Sequence, residues 1–325
     1  MITLWAPDGI GEVRRGDDLA EHLLAGSGAD LVEGDVVCVT SKVVSKAEGR
    51  VVVIDRAEAI VQETRRLVAR RGSLDIVVNR LGLTLAAAGV DASNVEAGHV
   101  LLLPEDPDRT ARNLRSAIAE RSSVNVAVLV TDTAGRPWRE GQTDIAIGAA
   151  GLRVLDDHAG RVDPYGNVLV VTAPAVADEL AGAAELAAGK LGRRPFVVVR
   201  GRADLVLPPG DEGPGAAGLL RPQEADLFGL GSREAVVAAL RGSSGDRSVF
   251  GTPAEPEELA GLLTGLLTGA LTGPVGAEVS VMPGAVEITT AEGRARWVVE
   301  VAAYAHGWEV ATDAVSRVRL RPATP

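Results

Sequence analysis

A mixed α/β (α+β) fold with a small C-terminal αβ extension is predicted by three observations. Short β-branched runs bounded by turn residues recur through the first 200 residues, helical patterns lie between them, and the composition changes near residue 230. Such alternation of strand and helix indicates layers of both rather than an all-α or all-β core.

The runs at 34–40, 124–130, 167–172 and 195–199 read as strands. Each is short and rich in valine, and nearly continuous apolarity fits strands covered on both faces. Helices are predicted over 56–71, 111–121 and 174–190. The last is the clearest. Pro174 suits a first turn, Asp178 and Glu179 lie early, and Lys190 lies at the end, as the helix dipole prefers. Val176, Leu180, Ala183, Ala184 and Ala187 form one apolar stripe. Residues 241–253 read as a linker, being rich in Gly and Ser at the start. The predicted division is therefore 1–240, a linker at 241–253, and a small unit at 254–325.

Residues 259–277 carry no charge, and Gly261, Gly265, Gly269 and Gly273 recur every fourth residue. Leu259, Leu262, Leu263, Leu266, Leu267 and Leu271 form a second face. A membrane span has this small-residue spacing, but Gly and Thr dilute the apolarity, and Pro256-Glu257-Glu258 gives the start of a helix in water. The preferred reading is a helix packed on a small sheet at 278–321, with hairpin turns at 281–285 and 290–294.

Composition excludes several classes. The length fits about two domains. Lys and Arg total 33 against 44 Asp and Glu, a net charge of −11, so no nucleic-acid partner is expected. Cys38 is the single cysteine, which rules out an intrachain disulfide and a cysteine zinc site. His22, His99, His158 and His306 are scattered without metal-binding spacing. The first residues lack a basic and an apolar region, so a cytoplasmic protein is expected, with no membrane partner.

Candidate chemistry concentrates at strand ends. Asp132 follows the run 124–130, where ligand sites of open α/β sheets gather. Asp132 and Thr133 could hold a cation through oxygen, although both residue types also cap turns. Asp91, Ser93 and Asn94 follow the apolar run 83–88 and equally fit an Asx turn. Should Asp91 approach Asp132, the two carboxylates would repel unless a cation lay between them. Ser41, Lys42, Ser45 and Lys46 leave the strand 34–40 and suit phosphate oxygens or a solvated basic loop. Residues 133–144, with Arg136, Trp138, Arg139 and Gln142, suit an anionic, ring-bearing ligand. No Walker loop, Gly-x-Gly-x-x-Gly turn or Gly-x-Ser-x-Gly elbow occurs.

These segments, in order, resemble the coenzyme F420-0:L-glutamate ligase (gamma-glutamyl ligase) family. The matching pieces are 9–13 with 16–19, 40–49, 86–94, 103–107, 131–144, 163–166, 175–180 and 220–222, which together span about residues 5–232. The resemblance implies the family's own α/β fold, and a cytoplasmic homodimer that adds L-glutamate to coenzyme F420-0 and then further glutamates by γ linkages. It implies GTP as co-substrate, Mg2+ or Mn2+ as a pair of ions, and K+ as a further cation. It implies nucleotide contacts from Asp8, Gly9, Ile10, Ser41, Lys46 and Asn94, and metal ligands at Asp91, Asp132 and Thr133. Asp91, Asp132 and Lys46 would then carry catalysis. Arg136, Arg139 and Gln142 are assigned to the acceptor or the glutamate. Archaeal relatives place a metal-binding Gln at the end of the helix matching 174–190; Gly189-Lys190 stands here instead, and Lys190 could neutralise phosphate charge. Some actinobacterial relatives continue into a nitroreductase-like flavin domain, which the residues after the linker do not resemble, so flavin-dependent reduction is not expected. Competing readings keep the amide-forming chemistry on a variant deazaflavin or folate-like acceptor, or reduce the chain to a deazaflavin-binding module.

Overall fold

The computed structural model describes residues 1–268, 277–289, 293–314 and 317–323. The chain divides into two compact units, Met1–Leu220 and Arg221–Pro325.

In chain order the first unit contains β1 (Thr3–Trp5), α1 (Leu19–Ala25), β2 (Val36–Thr40), α2 (Ser41–Ala47), β3 (Val51–Val52), α3 (Arg56–Glu63), β4 (Thr64–Arg71), β5 (Leu74–Asn79), β6 (Thr84–Ala86), β7 (Val100–Leu101), α4 (Pro107–Ser122), β8 (Ala127–Gly135), β9 (Gln142–Ala150), α5 (Val176–Ala188) and β10 (Phe196–Arg200). Its main sheet runs β1-β10-β2-β8-β9. The β2–β8 pair is parallel and the other pairs are antiparallel, so the sheet is mixed.

Strand alternation builds two cores on this sheet. Val37, Val39, Val128, Val130 and Phe196 face one way, onto Leu19 and Leu23 of α1, Val44 of α2, and Leu114 and Ile118 of α4. Val36, Cys38, Ala127, Leu129, Val197 and Val199 face the other way, onto α5. This double burial explains why the strands read as continuous apolar runs. Gly148 of β9 lets the first turn of α4 approach: a Cβ there would lie 2.5 Å from the Pro107 carbonyl.

Three expectations for this unit are corrected. The helix expected over 56–71 ends at Glu63, and residues 64–71 form β4, paired antiparallel with β5. The segment Arg65–Arg71 offers no apolar helical stripe, and a strand partner lies across the turn at Gly72. The buried face of α5 is Val176, Ala177, Leu180, Ala181 and Ala184, with Ala187 packed against the same core, so Ala177 and Ala181 take the place that the expected stripe gave to Ala183. The strand expected at 167–172 is the return limb of a narrow excursion. His158 N donates to Thr172 O, Leu169 N to Arg161 O and Asp163 N to Asn167 O. Among the described residues that limb pairs with its own outgoing limb alone, and Val168, Val170 and Val171 are exposed.

The second unit contains α6 (Ser232–Arg241), α7 (Pro256–Thr268), β11 (Glu278–Met282), β12 (Ala285–Thr289), α8 (Gly293–Ala305), β13 (Trp308–Ala314) and β14 (Arg317–Pro322). An antiparallel sheet, β11-β12-β14-β13, packs on Leu259, Leu263 and Leu267 of α7 and Val299 of α8. The helix on a small sheet is thus as expected. Gly269, Leu271 and Gly273 lie outside the described residues. No helix among the described residues is long and apolar enough to cross a membrane. The β11–β12 hairpin forms at 281–285. The second expected turn, at 290–294, begins at residues 290–292, outside the described ones; α8 begins at Gly293 and β12 pairs with β14.

The boundary at 240 also moves. Residues 221–253 belong with the second unit because the expected linker is packed within it. The Tyr304 hydroxyl donates to Ser243 O, Arg247 Nη1 donates to Trp308 O at 3.0 Å, and Trp308 Nε1 donates to Ala254 O at 2.8 Å.

Candidate functional site

The site lies at the end of the parallel β2–β8 pair, where Thr40 stands beside Thr131. Beyond Thr40 the chain turns directly into α2, so Ser41 sits beside the next residue of β8. Ser41 Oγ donates to Asp132 Oδ1 at 2.7 Å, which joins two segments ninety-one residues apart. Burial, reinforced by the charge of Asp144, pushes the Asp132 carboxyl up to about 6, against the bond from Ser41.

Asp91 arrives from the excursion between β3 and β7. Its backbone is fixed by a two-way bridge with Leu101. The approach passes Ala87, Ala88 and Gly89, all with positive φ (52°, 56° and 80°). Two alanines in that region cost about 1–2 kcal/mol each, and such strain collects at functional sites. Buried Asn79 holds the bend by donating to Ala88 O and accepting from Leu81 N and Leu83 N.

Lys42, the next residue of α2, stands against Asp91. Its Nζ lies 2.6 Å from Asp91 Oδ2 and 2.7 Å from Ser93 Oγ, and its charge also acts on Asp132. Burial works against ionisation of Asp91, but bonds from Lys42 and Ser93 outweigh it and hold the carboxyl below its usual range.

A second chain of contacts starts on the same strand. Thr133 Oγ1 donates to Asp144 Oδ1 at 2.7 Å and accepts from Lys190 Nζ at 2.8 Å. Lys190 also pairs with Glu185 at 3.1 Å. Lys190 therefore reaches back from the end of α5 to β8, next to Asp132.

The remaining expected residues fall into two groups. Lys46 Nζ is 2.5 Å from Glu12 Oε1, which places the 8–12 loop on α2; the pairing with Lys46 lowers the Glu12 carboxyl. On that loop Asp8 pairs with Arg194 at 2.8 Å, Gly9 has φ +78° with open space at its Cβ position, and Ile10 packs on the core. Asn94, at φ +57°, donates weakly to Ser93 Oγ at 3.4 Å. Arg136, Arg139 and Gln142, by contrast, lie at the outer end of the β8–β9 hairpin. Arg136 Nη2 bonds Glu140 O within the turn, and Gln142 pairs with Gly135. At about 3.3 Å per residue, Gly135 stands roughly 10 Å along the strand from Asp132.

From the sequence Lys42 stood out only within the run 41–46 and Asp144 only as the last residue of 133–144, and neither was given a role of its own. Lys42 was visible only as one of two equivalent lysines. Asp144 becomes meaningful once the hairpin register sets it opposite Thr133. Together the donors are carboxylate and hydroxyl oxygens flanked by ammonium groups. Such a set can accept a hard cation and the anionic groups that accompany it.

Residues 9–201 match the F420-0:Gamma-glutamyl ligase family, and the chain belongs to it. Proteins named coenzyme F420:L-glutamate ligase are similar over most of their own length. That of Methanopyrus kandleri is 43% identical, covering 58% of this chain and 83% of the relative. That of Methanothermobacter thermautotrophicus is 34% identical, covering 70% and 98%. That of Natronomonas pharaonis is 40% identical, covering 60% and 84%.

Proposed function

We propose that this chain is a GTP- and divalent-cation-dependent ligase that adds L-glutamate to coenzyme F420-0 in the cytoplasm, then adds further glutamates through γ linkages. Family membership supports the reaction class. The single observation that carries the chemistry is the Ser41–Asp132 bond beside the Lys42–Asp91 pair, which gathers two carboxylates, a hydroxyl and an ammonium group from three distant segments.

A carboxylate resists attack by an amine, so it must first be activated. The acceptor carboxylate attacks the γ-phosphorus of GTP, forming an acyl phosphate and releasing GDP. The glutamate nitrogen then attacks the acyl carbon, phosphate leaves, and the nitrogen loses a proton. The donor set fits Mg2+ or Mn2+, since Asp91, Asp132 and Thr133 offer oxygen only. Among the described residues no group of three or more His, Cys, Asp or Glu could hold a metal by itself. That suits Mg2+, which typically takes one or two carboxylates and completes its shell from water and substrate phosphates. A cation held there would neutralise charge developing on the transferred phosphoryl group. The 8–10 loop, Ser41, Lys46 and Asn94 would orient the nucleotide. Lys190 would add positive potential, and Arg136, Arg139 and Gln142 would meet the acceptor or the glutamate if the hairpin end folds over the site.

The working form is proposed to be a homodimer. The excursion at 155–172 exposes Leu155, Val162, Tyr165, Val168, Val170 and Val171, apolar side chains that a second copy of the chain would cover.

The test supplies purified F420-0, GTP, Mn2+ and L-glutamate to the full chain and follows the coenzyme by mass. Successive increments of one glutamyl residue, matched by GDP, are expected. Binding of the coenzyme without GDP release would overturn the ligase reading. Turnover with a folate-like acceptor but not with F420-0 would reassign the substrate.

A further inference from the structure

Asp144 stands on β9 opposite Thr133 of β8, and only 5% of its surface is exposed. Both oxygens are taken by hydroxyls of β8: Oδ1 accepts from Thr133 at 2.7 Å and Oδ2 from Thr131 at 3.2 Å. No Lys or Arg among the described residues contacts it directly. A buried carboxylate held only by hydroxyls costs stability. Its negative field also reaches its neighbours, adding to the rise of Asp132 on one side and of Cys38 on the other.

The hydrogen-bond polarity along this chain is fixed by chemistry. An ionised carboxylate only accepts, an ammonium group only donates, and a threonine hydroxyl has one proton and two lone pairs. Lys190 donates to Thr133 Oγ1, so the Thr133 proton goes to Asp144. The Thr133 oxygen is thereby locked with its lone pairs away from β9. A free hydroxyl rotor would leave that direction undecided.

We propose that Asp144 is a positioning residue, which orients the Thr133 hydroxyl so that its oxygen is presented as an acceptor to a cationic group: the Lys190 ammonium as the structure stands, and the divalent cation of the proposed reaction during turnover. The inference rests on the ligase reading for the second of these. Asp144 touches no reacting atom and acts through Thr133.

Mn2+ binding to the full chain in the presence of GDP, followed by electron paramagnetic resonance, tests it without relying on turnover. Groups that orient a metal ligand typically change affinity by about 10–100-fold when altered. Asp144→Asn and Thr133→Val are each expected to weaken Mn2+ by that factor. The double variant should be no weaker than the poorer single one, because both changes remove the same oriented oxygen. Unchanged affinity in a folded Asp144→Asn protein with a lowered melting temperature would show that Asp144 merely ties the hairpin, and would overturn the proposal. Fully additive losses would overturn it as well. If Asp144→Asn does not fold, Thr133→Ser and Thr133→Val carry the test: retention with Ser and loss with Val are required, and equal affinities refute the inference. Failure of the wild-type chain to bind Mn2+ at all would instead remove the cation reading, and this proposal with it.

Discussion

Asp132 shows how one residue's surroundings set its behaviour. Its carboxyl holds a proton more tightly in the folded chain than in the unfolded one, because burial and the charge of Asp144 outweigh the bond from Ser41. The native state therefore binds more protons between the ordinary carboxylate value and about 6, and over that interval the contribution of Asp132 to stability falls as pH rises. Asp132→Asn removes the decline. In metal-free protein the variant should gain on the order of 2 kcal/mol relative to wild type between pH 4 and pH 7, read by urea unfolding at both pH values. It should lose ligase activity by at least about a hundredfold while folding normally; full activity would end its assignment to the site. Cys38 offers a second residue-level expectation. Burial, with a contribution from Asp144, pushes its thiol up to about 12, so native protein at neutral pH should react with a thiol reagent only as fast as it unfolds. Rapid labelling without denaturant would contradict the packing of β2. Ser41, Asp91 and Asp132 were legible because each follows an apolar run and carries a polar atom where a strand ends. Lys42 and Asp144 were not, since nothing local separates Lys42 from Lys46, and the meaning of Asp144 depends on register.

Among elements, α1 illustrates a helix whose start is written in sequence. Asp18 caps it, accepting from Ala20 N and Glu21 N, and also pairs with Arg121 at the end of α4. Arg121, together with those amides, lowers the Asp18 carboxyl well below its usual range. The contribution of Asp18 is thus complete above the ordinary carboxylate pKa and is lost as pH falls through the depressed value. Asp18→Ala should cost about 1 kcal/mol at neutral pH and less at pH 2, measured as a difference in unfolding midpoint at the two pH values. An equal loss at both would show that charge is not involved. The segment 56–71 shows the opposite case. Its first half is helical by capping at Asp55, while its second half becomes β4 because β5 offers a partner. Local propensity could not supply that, since pairing across Gly72 is a decision of tertiary structure.

At the scale of the molecule, the chain forms two units with separate cores. The excursion of the first exposes apolar side chains, with Tyr165 and Val171 each about nine-tenths exposed. If the proposed homodimer uses this surface, Val171→Asp should turn it to monomer in sedimentation equilibrium while the melting behaviour of the core persists; a wild-type chain that sediments as a monomer would end the dimer proposal, and a variant that stays dimeric would place the contact elsewhere. The sequence determined the mixed α/β class, the valine-rich character of the central strands, the helix within 174–190 and the acidic, hydroxyl-bearing strand ends, because these follow from periodicity, capping and composition within short windows. Only the tertiary structure decided that Ser41 meets Asp132, that Lys42 stands against Asp91, that Asp144 lies opposite Thr133, and that residues 221–253 pack with the second unit. Each of these depends on register or on contacts between segments far apart in sequence, which a local pattern of side chains does not encode.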